Sequence, residues 1–308
     1  MLKVVLYDSL NNPIHVYIYE PTIKAKGVIQ IIHGASEHFA RYGVFAEFLN
    51  MNGYFVIGCD ILGHGLSTTT NSYVHFADKS GDLVAYESLT LVKDYIHENY
   101  PNLDVFLFGH SMGSFLARKM IIEFPDFYKK AIISGTTIVP ASLSTFGILL
   151  TGTISLFKGP KYVSPFVQNM AIDANPHKMQ KDGIIGDFQE AWLTKDETIQ
   201  QYYHHSQMCG QPFTVKANQD LFKWISFINK KKNLKKGNLD MPILFVSGEK
   251  DPLSNYGVQV KVLYELMKSL GYKNIEYKLY TNDRHEILNE LDHDVVFNDL
   301  LAFINKKN

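Results

Sequence analysis

Short apolar runs bounded by turn residues recur along the chain and predict eight β-strands. From the third run onward, stretches with apolar residues at helical spacing alternate with these strands. Such alternation predicts a mostly parallel sheet with helices on both faces, and the short link at residues 9–13 predicts that the sheet begins with an antiparallel hairpin. The predicted strands are residues 2–7, 14–19, 28–32, 54–59, 105–108, 131–134, 243–247 and 275–280, and the predicted helices are residues 42–52, 83–99, 115–124, 258–270 and 295–304.

The alternation breaks between residues 139 and 225, where no strand-like run appears and short helical stretches rich in Gln, Tyr and Met follow one another. This break predicts a helical cap inserted between the sixth and seventh strands. The predicted organisation is therefore an α/β core formed by residues 1–138 and 226–308, with residues 139–225 as a cap or lid.

One uncharged stretch, residues 131–157, is long enough to suggest a transmembrane helix. Because glycines, a proline and several Ser and Thr residues interrupt it, we interpret it as a buried strand running into an apolar segment of the cap. Within that segment, residues 143–157 are strongly apolar. We expect part of them to line a tunnel for an acyl chain, and the alternative is that they form the core of the cap.

The chemistry-bearing motif follows the fifth predicted strand. Gly109, Ser111 and Gly113 form the pattern G-x-S-x-G, with an apolar strand before it and an apolar helix pattern after it. A serine on a tight strand-to-helix turn has its hydroxyl lifted out of the sheet, and the flanking glycines allow the close approach that the turn requires. The motif predicts a nucleophile elbow of the α/β-hydrolase fold with Ser111 as nucleophile. The alternative is an ordinary glycine-rich turn.

A serine nucleophile needs a general base and an acid that orients the base, in the chain order Ser, acid, His. Asp251 follows the seventh predicted strand, and His285 follows the eighth, so both lie at the carboxyl edge of the sheet. We predict that Asp251 is the acid and His285 the base. Glu249 and Asp283 are the rival acids.

Two backbone amides are expected to bind the oxyanion that develops during ester cleavage. The amide of Met112 directly follows the nucleophile, and the amide of Ala35 lies in the loop after the third strand. In the same loop, Glu37 and Arg41 stand at i,i+4 and predict a local ion pair. His64, between two glycines, is predicted to support the elbow and not to act in catalysis.

Composition narrows the function further. The chain has 308 residues, 46% hydrophobic residues, 20% charged residues and a net charge of −1, which gives no reason to expect a nucleic-acid partner. Two distant cysteines and an N-terminus unlike a signal peptide indicate a cytoplasmic protein. No metal motif and no phosphate-binding loop are recognisable, so we expect no metal and no cofactor.

The basic loop at residues 230–236 is interpreted as a solvated surface, with anionic lipid headgroups as the alternative ligand.

Several motifs in order resemble the monoglyceride lipases and bacterial lysophospholipases. They include residues 33–38 with Arg41, residues 60–67, residues 109–113, Gly248 with Asp251, and residues 284–286. The resemblance implies the triad Ser111, Asp251 and His285, the oxyanion donors Ala35 and Met112, and a lid above the site. It also implies hydrolysis of carboxylic esters of lipid-like substrates.

We therefore predict a serine hydrolase that cleaves small-molecule acyl esters such as monoacylglycerols or lysophospholipids through an acyl-enzyme. The alternatives are a peptidase or amidase, a short-chain esterase, and a ligand-binding protein without catalysis. A transient contact of the cap with a membrane surface is expected for a lipid substrate. The sequence predicts no particular oligomeric state.

Overall fold

The computed structural model describes residues 1–307 and contains an eight-stranded sheet with the strand order β1-β2-β4-β3-β5-β6-β7-β8. The pairs β1–β2 and β2–β4 are antiparallel, and all other pairs of the sheet are parallel. The predicted fold class is confirmed, and each predicted strand agrees with the structure to within two residues. The strands are β1 Leu2–Tyr7, β2 Pro13–Tyr19, β3 Gly27–Ile32, β4 Tyr54–Cys59, β5 Val105–His110, β6 Lys130–Ser134, β7 Ile243–Gly248 and β8 Ile275–Tyr280.

Helices cover both faces of the sheet because the central strands carry apolar side chains on both sides. In β5, Val105 and Leu107 pack into one core cluster, whereas Phe106 and Phe108 pack into the other. This is the period-two alternation of a strand buried on both faces. The helices are α1 Gly43–Met51, α2 Gly81–Asn99, α3 Met112–Glu123, α4 Ala141–Lys158, α5 Pro165–Gln168, α6 Ala174–Lys181, α7 Glu197–His205, α8 Val215–Ile228, α9 Lys231–Leu234, α10 Val258–Ser269 and α11 His293–Asn305.

The connection from β6 to β7 contains helices and turns, and its Phe213 forms an isolated bridge with Val74 of the segment between β4 and α2. Its last long helix, α8, packs against α2, α3 and α4. Because α8 runs across residue 225, it joins the predicted cap to the predicted core. The division into residues 1–138 and 226–308 as core and 139–225 as cap stays a prediction.

Helix α4 differs from the sequence expectation. Its buried residues are the small ones, Ser144, Gly147 and Thr151, and a Cβ at Gly147 would lie 2.7 Å from the Phe222 ring of α8. Five of its large apolar side chains are exposed, whereas Ile148, Leu150 and Ile154 are half-buried, and no residue of α4 lines the cavity that contains Ser111. The predicted acyl tunnel through residues 143–157 is therefore wrong, and the five exposed side chains do not form a cap core either. The exposed large side chains of this helix are Leu143, Phe146, Leu149, Leu156 and Phe157.

Candidate active site

Ser111 lies on a strained turn between β5 and α3, with φ 54° and ψ −121°. The glycines on either side are required by close backbone contacts. A Cβ at Gly109 would lie 2.4 Å from the Gly113 carbonyl oxygen, and a Cβ at Gly113 would lie 2.2 Å from the Ile32 carbonyl oxygen. The Ser111 amide donates to the Ser134 carbonyl at 2.9 Å and fixes the turn against β6. This geometry is that of a nucleophile elbow.

The loops that carry the predicted acid and base are in direct backbone contact. A Cβ at Gly248, the last residue of β7, would lie 2.1 Å from the Arg284 carbonyl oxygen and 2.2 Å from that of Asp283. Only glycine allows this approach. The loop after β7 therefore brings Asp251 to the loop after β8, where His285 lies.

The predicted acid and base face each other within the protein interior. His285 Nδ1 lies 3.0 Å from Asp251 Oδ1, and the exposed fractions of their side chains are 2% and 0%. The carboxylate lies off the direction in which Nδ1 would donate, since no aligned hydrogen bond is formed. Asp251 is held in place because its Oδ2 accepts from Ser247 Oγ and its Oδ1 accepts from the Leu253 amide, both at 2.9 Å.

Neither of the two rival acids, Asp283 and Glu249, forms an ion pair with His285. Asp283 accepts from Lys195 Nζ at 2.9 Å, and Glu249 is exposed to solvent. Burial raises the pKa of Asp283 to about 6, against the effect of Lys195. Of the three candidate acids, Asp251 is the one at ion-pair distance from His285.

The pKa values of His285 and Asp251 are shifted in the directions that proton transfer to a histidine base requires. Burial opposes the protonated form of His285, but the Asp251 carboxylate outweighs it and raises the pKa of His285. Burial likewise opposes the ionised form of Asp251, but His285 and the hydrogen bonds of Ser247 and Leu253 lower its pKa. A histidine next to a fixed carboxylate can accept a proton and hold it as imidazolium.

Ser111 and His285 line one cavity of about 170 Å³, together with both predicted oxyanion donors, Ala35 and Met112. Within residues 1–307, neither the Ala35 amide nor the Met112 amide donates a hydrogen bond. His285 Nε2 has no hydrogen-bond partner in the described chain either, so no hydrogen bond links it to Ser111. Catalytic hydrogen bonds commonly tighten only when substrate is bound. Apolar side chains that complete the wall include Phe115, Ile172, Pro176, Leu193, Leu221 and Leu253.

A buried charge network joins the loop of the oxyanion donors to the loop of His285. The predicted ion pair of Glu37 and Arg41 is present, at 2.5 Å. The network has a second half that no sequence motif predicted, in which Arg41 donates two hydrogen bonds to Glu286, at 2.7 and 2.6 Å. Glu37 also accepts from the Gly34 amide, at 2.5 Å, and so holds the residue before Ala35. Although burial opposes its ionisation, Arg41 helps to lower the pKa of Glu37 to about 2.

Two further residues at the site, Trp192 and His110, had no predicted role, although His110 lies within the G-x-S-x-G motif. The Trp192 indole stacks on His285 with ring centroids 4.6 Å apart, and the His110 ring lies on another side at 4.7 Å. Burial and the neighbouring His285 lower the pKa of His110 to about 4, so His110 is neutral near pH 7. The only sequence signals were the rarity of tryptophan in this chain and the position of His110 beside the nucleophile.

His64 lies outside the cavity, as a structural residue would, and its predicted support of the elbow stays a prediction. It is buried between Phe76 and Phe213, away from the cavity, and burial lowers its pKa to about 3. A neutral ring among aromatic side chains serves packing. It contributes no charge to the site.

Comparisons with known proteins agree with this geometry. The family described as serine aminopeptidase, S33, matches residues 23–292. The chain is 24% identical to the monoglyceride lipase of Mus musculus over 93% of this chain and 84% of that protein. It is also 24% identical to phospholipase YtpA of Bacillus subtilis, over 90% of this chain and 94% of that protein. A thermostable carboxyl esterase from Bacillus coagulans, solved with glycerol, superimposes with a TM-score of 0.86 at 21% identity and covers 99% of this chain and 97% of its own.

Proposed function

Since the chain belongs to the serine aminopeptidase S33 family of α/β-hydrolases, we propose that it cleaves carboxylic esters of lipid-like alcohols, such as monoacylglycerols or lysophospholipids. The protein is an enzyme of the serine hydrolase type. The observation that carries the proposal is the arrangement of an elbow serine, a buried His–Asp pair and apolar side chains around one cavity. Relatives that carry the names lipase and phospholipase support an ester substrate with an acyl chain.

We assign the catalytic roles as follows. Ser111 Oγ attacks the ester carbonyl while His285 takes its proton, and Asp251 holds the imidazole in the required tautomer. The amides of Ala35 and Met112 bind the oxyanion. Collapse of the tetrahedral intermediate expels the alcohol, which receives the proton from His285. The same base then activates water to release the fatty acid from Ser111.

The assignment of the acid is tested by three neutralising variants. Asp251→Asn should lower kcat by roughly 10⁴, because an amide at this place holds the imidazole in the wrong tautomer. Asp283→Asn and Glu249→Gln serve as matched controls and should each cost far less. A control variant that loses as much activity as Asp251→Asn would show that the acid is misassigned.

The acyl group is proposed to lie against the apolar wall of the cavity. A volume of about 170 Å³ is close to the roughly 150 Å³ that accommodates benzene in an engineered protein cavity. The cavity therefore holds the ester group and the first part of an acyl chain. Each methylene buried there contributes up to about 0.8 kcal/mol to transition-state binding.

A series of p-nitrophenyl esters, kept below their aggregation limits, tests the lipid substrate. Medium-chain esters should exceed acetate in kcat/KM by at least about tenfold. Ile172→Gln should flatten this dependence because Ile172 lines the cavity, whereas Phe146→Gln should not, because Phe146 lies on the outer face of α4. A wild-type profile that peaks at acetate would reject the lipid substrate and favour a short-chain esterase.

A peptidase or amidase is the second candidate, because the matching family is described as an aminopeptidase family. Matched ester and amide substrates with the same acyl group and leaving amine or alcohol distinguish the two. We expect the ester to be cleaved and the amide to react at least about 10² times more slowly. Comparable kcat/KM values for the two would support the peptidase.

We propose further that this enzyme is a soluble cytoplasmic protein that contacts membrane surfaces through α4. The 18-residue helix is apolar enough to cross a membrane by composition, but it spans only about 27 Å and packs its small residues on α8. Leu156 and Phe157 are 85% and 82% exposed, an arrangement that suits the interface of a bilayer. Inserted side chains there would place the enzyme next to its lipid substrate.

Vesicle co-sedimentation tests this contact. Replacement of Leu156 and Phe157 with Ser should reduce binding to phosphatidylcholine vesicles several-fold, whereas Val44→Ser, at an exposed apolar residue of α1, should not. Hydrolysis of soluble esters should be unchanged in both variants. Equal vesicle binding by all three proteins would refute the proposal, and resistance of bound protein to a carbonate wash would favour a spanning helix.

A further inference from the structure

The imidazole of His285 lies in a narrow slot whose walls come from three parts of the chain. The Trp192 indole covers one ring face, with an interplanar angle of 21°. The tilted ring of His110 lies on another side, and a Cβ at Gly135 would be 3.0 Å from His285 Cε1. Trp192 is the wall that comes from the predicted cap. The slot therefore restricts the ring of the general base beyond what Asp251 alone can do.

The segment that carries Trp192 is fixed to the loop that carries His285 by hydrogen bonds on both sides of the stack. The Glu286 amide donates to the Leu193 carbonyl at 2.7 Å, and Arg284 Nη1 donates to the Ala191 carbonyl at 2.6 Å. Thr194 Oγ1 adds a hydrogen bond to the Asn289 carbonyl, at 2.7 Å. The indole is consequently positioned by its backbone, and its contact with His285 is a built feature of the fold.

Stacking on an indole has a specific consequence for a histidine base. When His285 takes the serine proton it becomes a cation, and a cation over a tryptophan face is attracted by the ring quadrupole. The neutral ring gains much less. An interaction that strengthens as the proton is transferred lowers the barrier and not merely the energy of the bound substrate. The titratable or charged groups around the ring are Asp251, His110, Glu286, Glu37 and Arg41, and they remain in place when Trp192 is replaced.

We propose that Trp192 is a positioning residue for the general base: its indole fixes the plane of the His285 imidazole and stabilises the imidazolium formed during attack by Ser111. This inference rests on the proposed serine-esterase function, because it takes His285 as the base. It assigns a role in the chemical step to the predicted cap, in addition to covering the site.

Two variants distinguish the effect of the aromatic face of Trp192 from the effect of its side-chain volume. Trp192→Phe keeps a ring over the imidazole, whereas Trp192→Leu keeps an apolar side chain without one. We expect Trp192→Leu to lower kcat by about 3- to 30-fold and the acid pKa of the kcat/KM profile by about 0.5 to 1.5, which corresponds to the usual strength of a cation–π contact. Trp192→Phe should stay within about threefold of the wild type in kcat. Trp192→Met replaces the Leu variant if that protein does not fold.

A second measurement does not depend on turnover. In the Ser111→Ala background, the pKa of His285 is followed by NMR titration of its ring Cε1–H signal, assigned by its loss in His285→Gln. Trp192→Leu should lower this pKa and Trp192→Phe should restore most of it. The matched control is Phe188→Leu, which removes an aromatic contact to another cap histidine, His204, at 5.3 Å.

The outcomes distinguish this inference from the function on which it rests. An unchanged His285 pKa together with a kcat within threefold of the wild type in Trp192→Leu would overturn the role of Trp192 while leaving the esterase intact. A loss of kcat with an unchanged pKa would also overturn it, because Trp192 would then act through the cavity wall. If the wild type hydrolysed no ester yet the pKa shifted, the stacking would stand and the proposed function would fail.

Discussion

Arg41 is the shared cation of two buried carboxylates, and its removal is expected to be unusually costly. Its guanidinium contacts Glu37 and Glu286 at 2.5 to 2.7 Å, and the side chains of all three are at most 5% exposed. In the variant Arg41→Met, a side chain of similar length without charge leaves both carboxylates without their cation. Removal of one partner from a buried ion pair typically destabilises a protein by about 3–5 kcal/mol. Since Arg41 serves two partners, we expect a loss in this range near pH 8.

The loss should depend on pH with a definite sign. In the wild type the pKa of Glu37 is lowered to about 2, so its contribution to stability is present above the unfolded value of 4.5 and disappears as pH falls toward 2. In Arg41→Met, we expect the pKa of Glu37 to rise above its unfolded value, because burial is the largest effect on it and its main opposing cation is gone. In the variant, the contribution of Glu37 to folding stability is therefore largest at low pH, where its carboxyl group is protonated, and it is lost as pH rises through the pKa of the folded state. The difference in stability between the two proteins should therefore be smaller at pH 5 than at pH 8.

Urea unfolding at pH 5 and pH 8 measures both effects. A variant that combines Arg41→Met with Glu37→Gln and Glu286→Gln should recover much of the stability, because no uncompensated buried charge remains. Lys278→Met, which breaks an exposed ion pair with Asp299, is the control and should cost less than about 1 kcal/mol. A loss below about 1 kcal/mol in Arg41→Met, or a loss equal at both pH values, would refute the description of this cluster as a buried ionised network.

Three further results are expected. Ser111→Ala should lower kcat by a factor on the order of 10⁶ without changing Tm, because the members of a catalytic triad such as the one proposed act as a unit, and retention of more than a few per cent of activity would exclude Ser111 as nucleophile. A plot of kcat/KM against pH should fall on the acid side with a pKa above 6.5, since His285 must be neutral to accept the proton and Asp251 raises its pKa; an acid pKa below 6 would contradict this. Gly248→Ala should destabilise the protein by about 1–3 kcal/mol and reduce kcat, because the added Cβ would lie 2.1 Å from a backbone carbonyl, whereas Gly186→Ala, with open space around it, should do neither.

Local patterns were sufficient for the strands because the sheet is buried on both faces. A strand such as β5 is apolar at every position from Val105 to Phe108, and turn residues bound it on both sides. The order of the strands within the sheet, in contrast, cannot be predicted from local patterns. That β4 lies between β2 and β3 depends on which edges meet after the helices have packed, and no local pattern reports this.

The residues proposed as the catalytic triad could be selected from the sequence for a related reason. Ser111, Asp251 and His285 each follow a parallel strand, and the carboxyl ends of parallel strands meet at one edge of the sheet. Strand assignment therefore brings the three loops together before any side chain is considered. Glu286 and Trp192 could not be found in this way, because their partners lie in irregular segments far away in the chain.

Helix α4 shows where composition misleads. Apolar residues predict burial only on average, since much of the surface of a folded protein is apolar as well. In α4 the small side chains of Ser144, Gly147 and Thr151 allow close packing on α8, and five large apolar side chains are left exposed. Helix packing was thus determined by the size of the residues and not by their hydrophobicity. Several large exposed apolar side chains on one helix are costly in water unless another apolar phase covers them. For an enzyme whose substrates are proposed to be lipid esters, the covering phase we propose is the membrane that contains them.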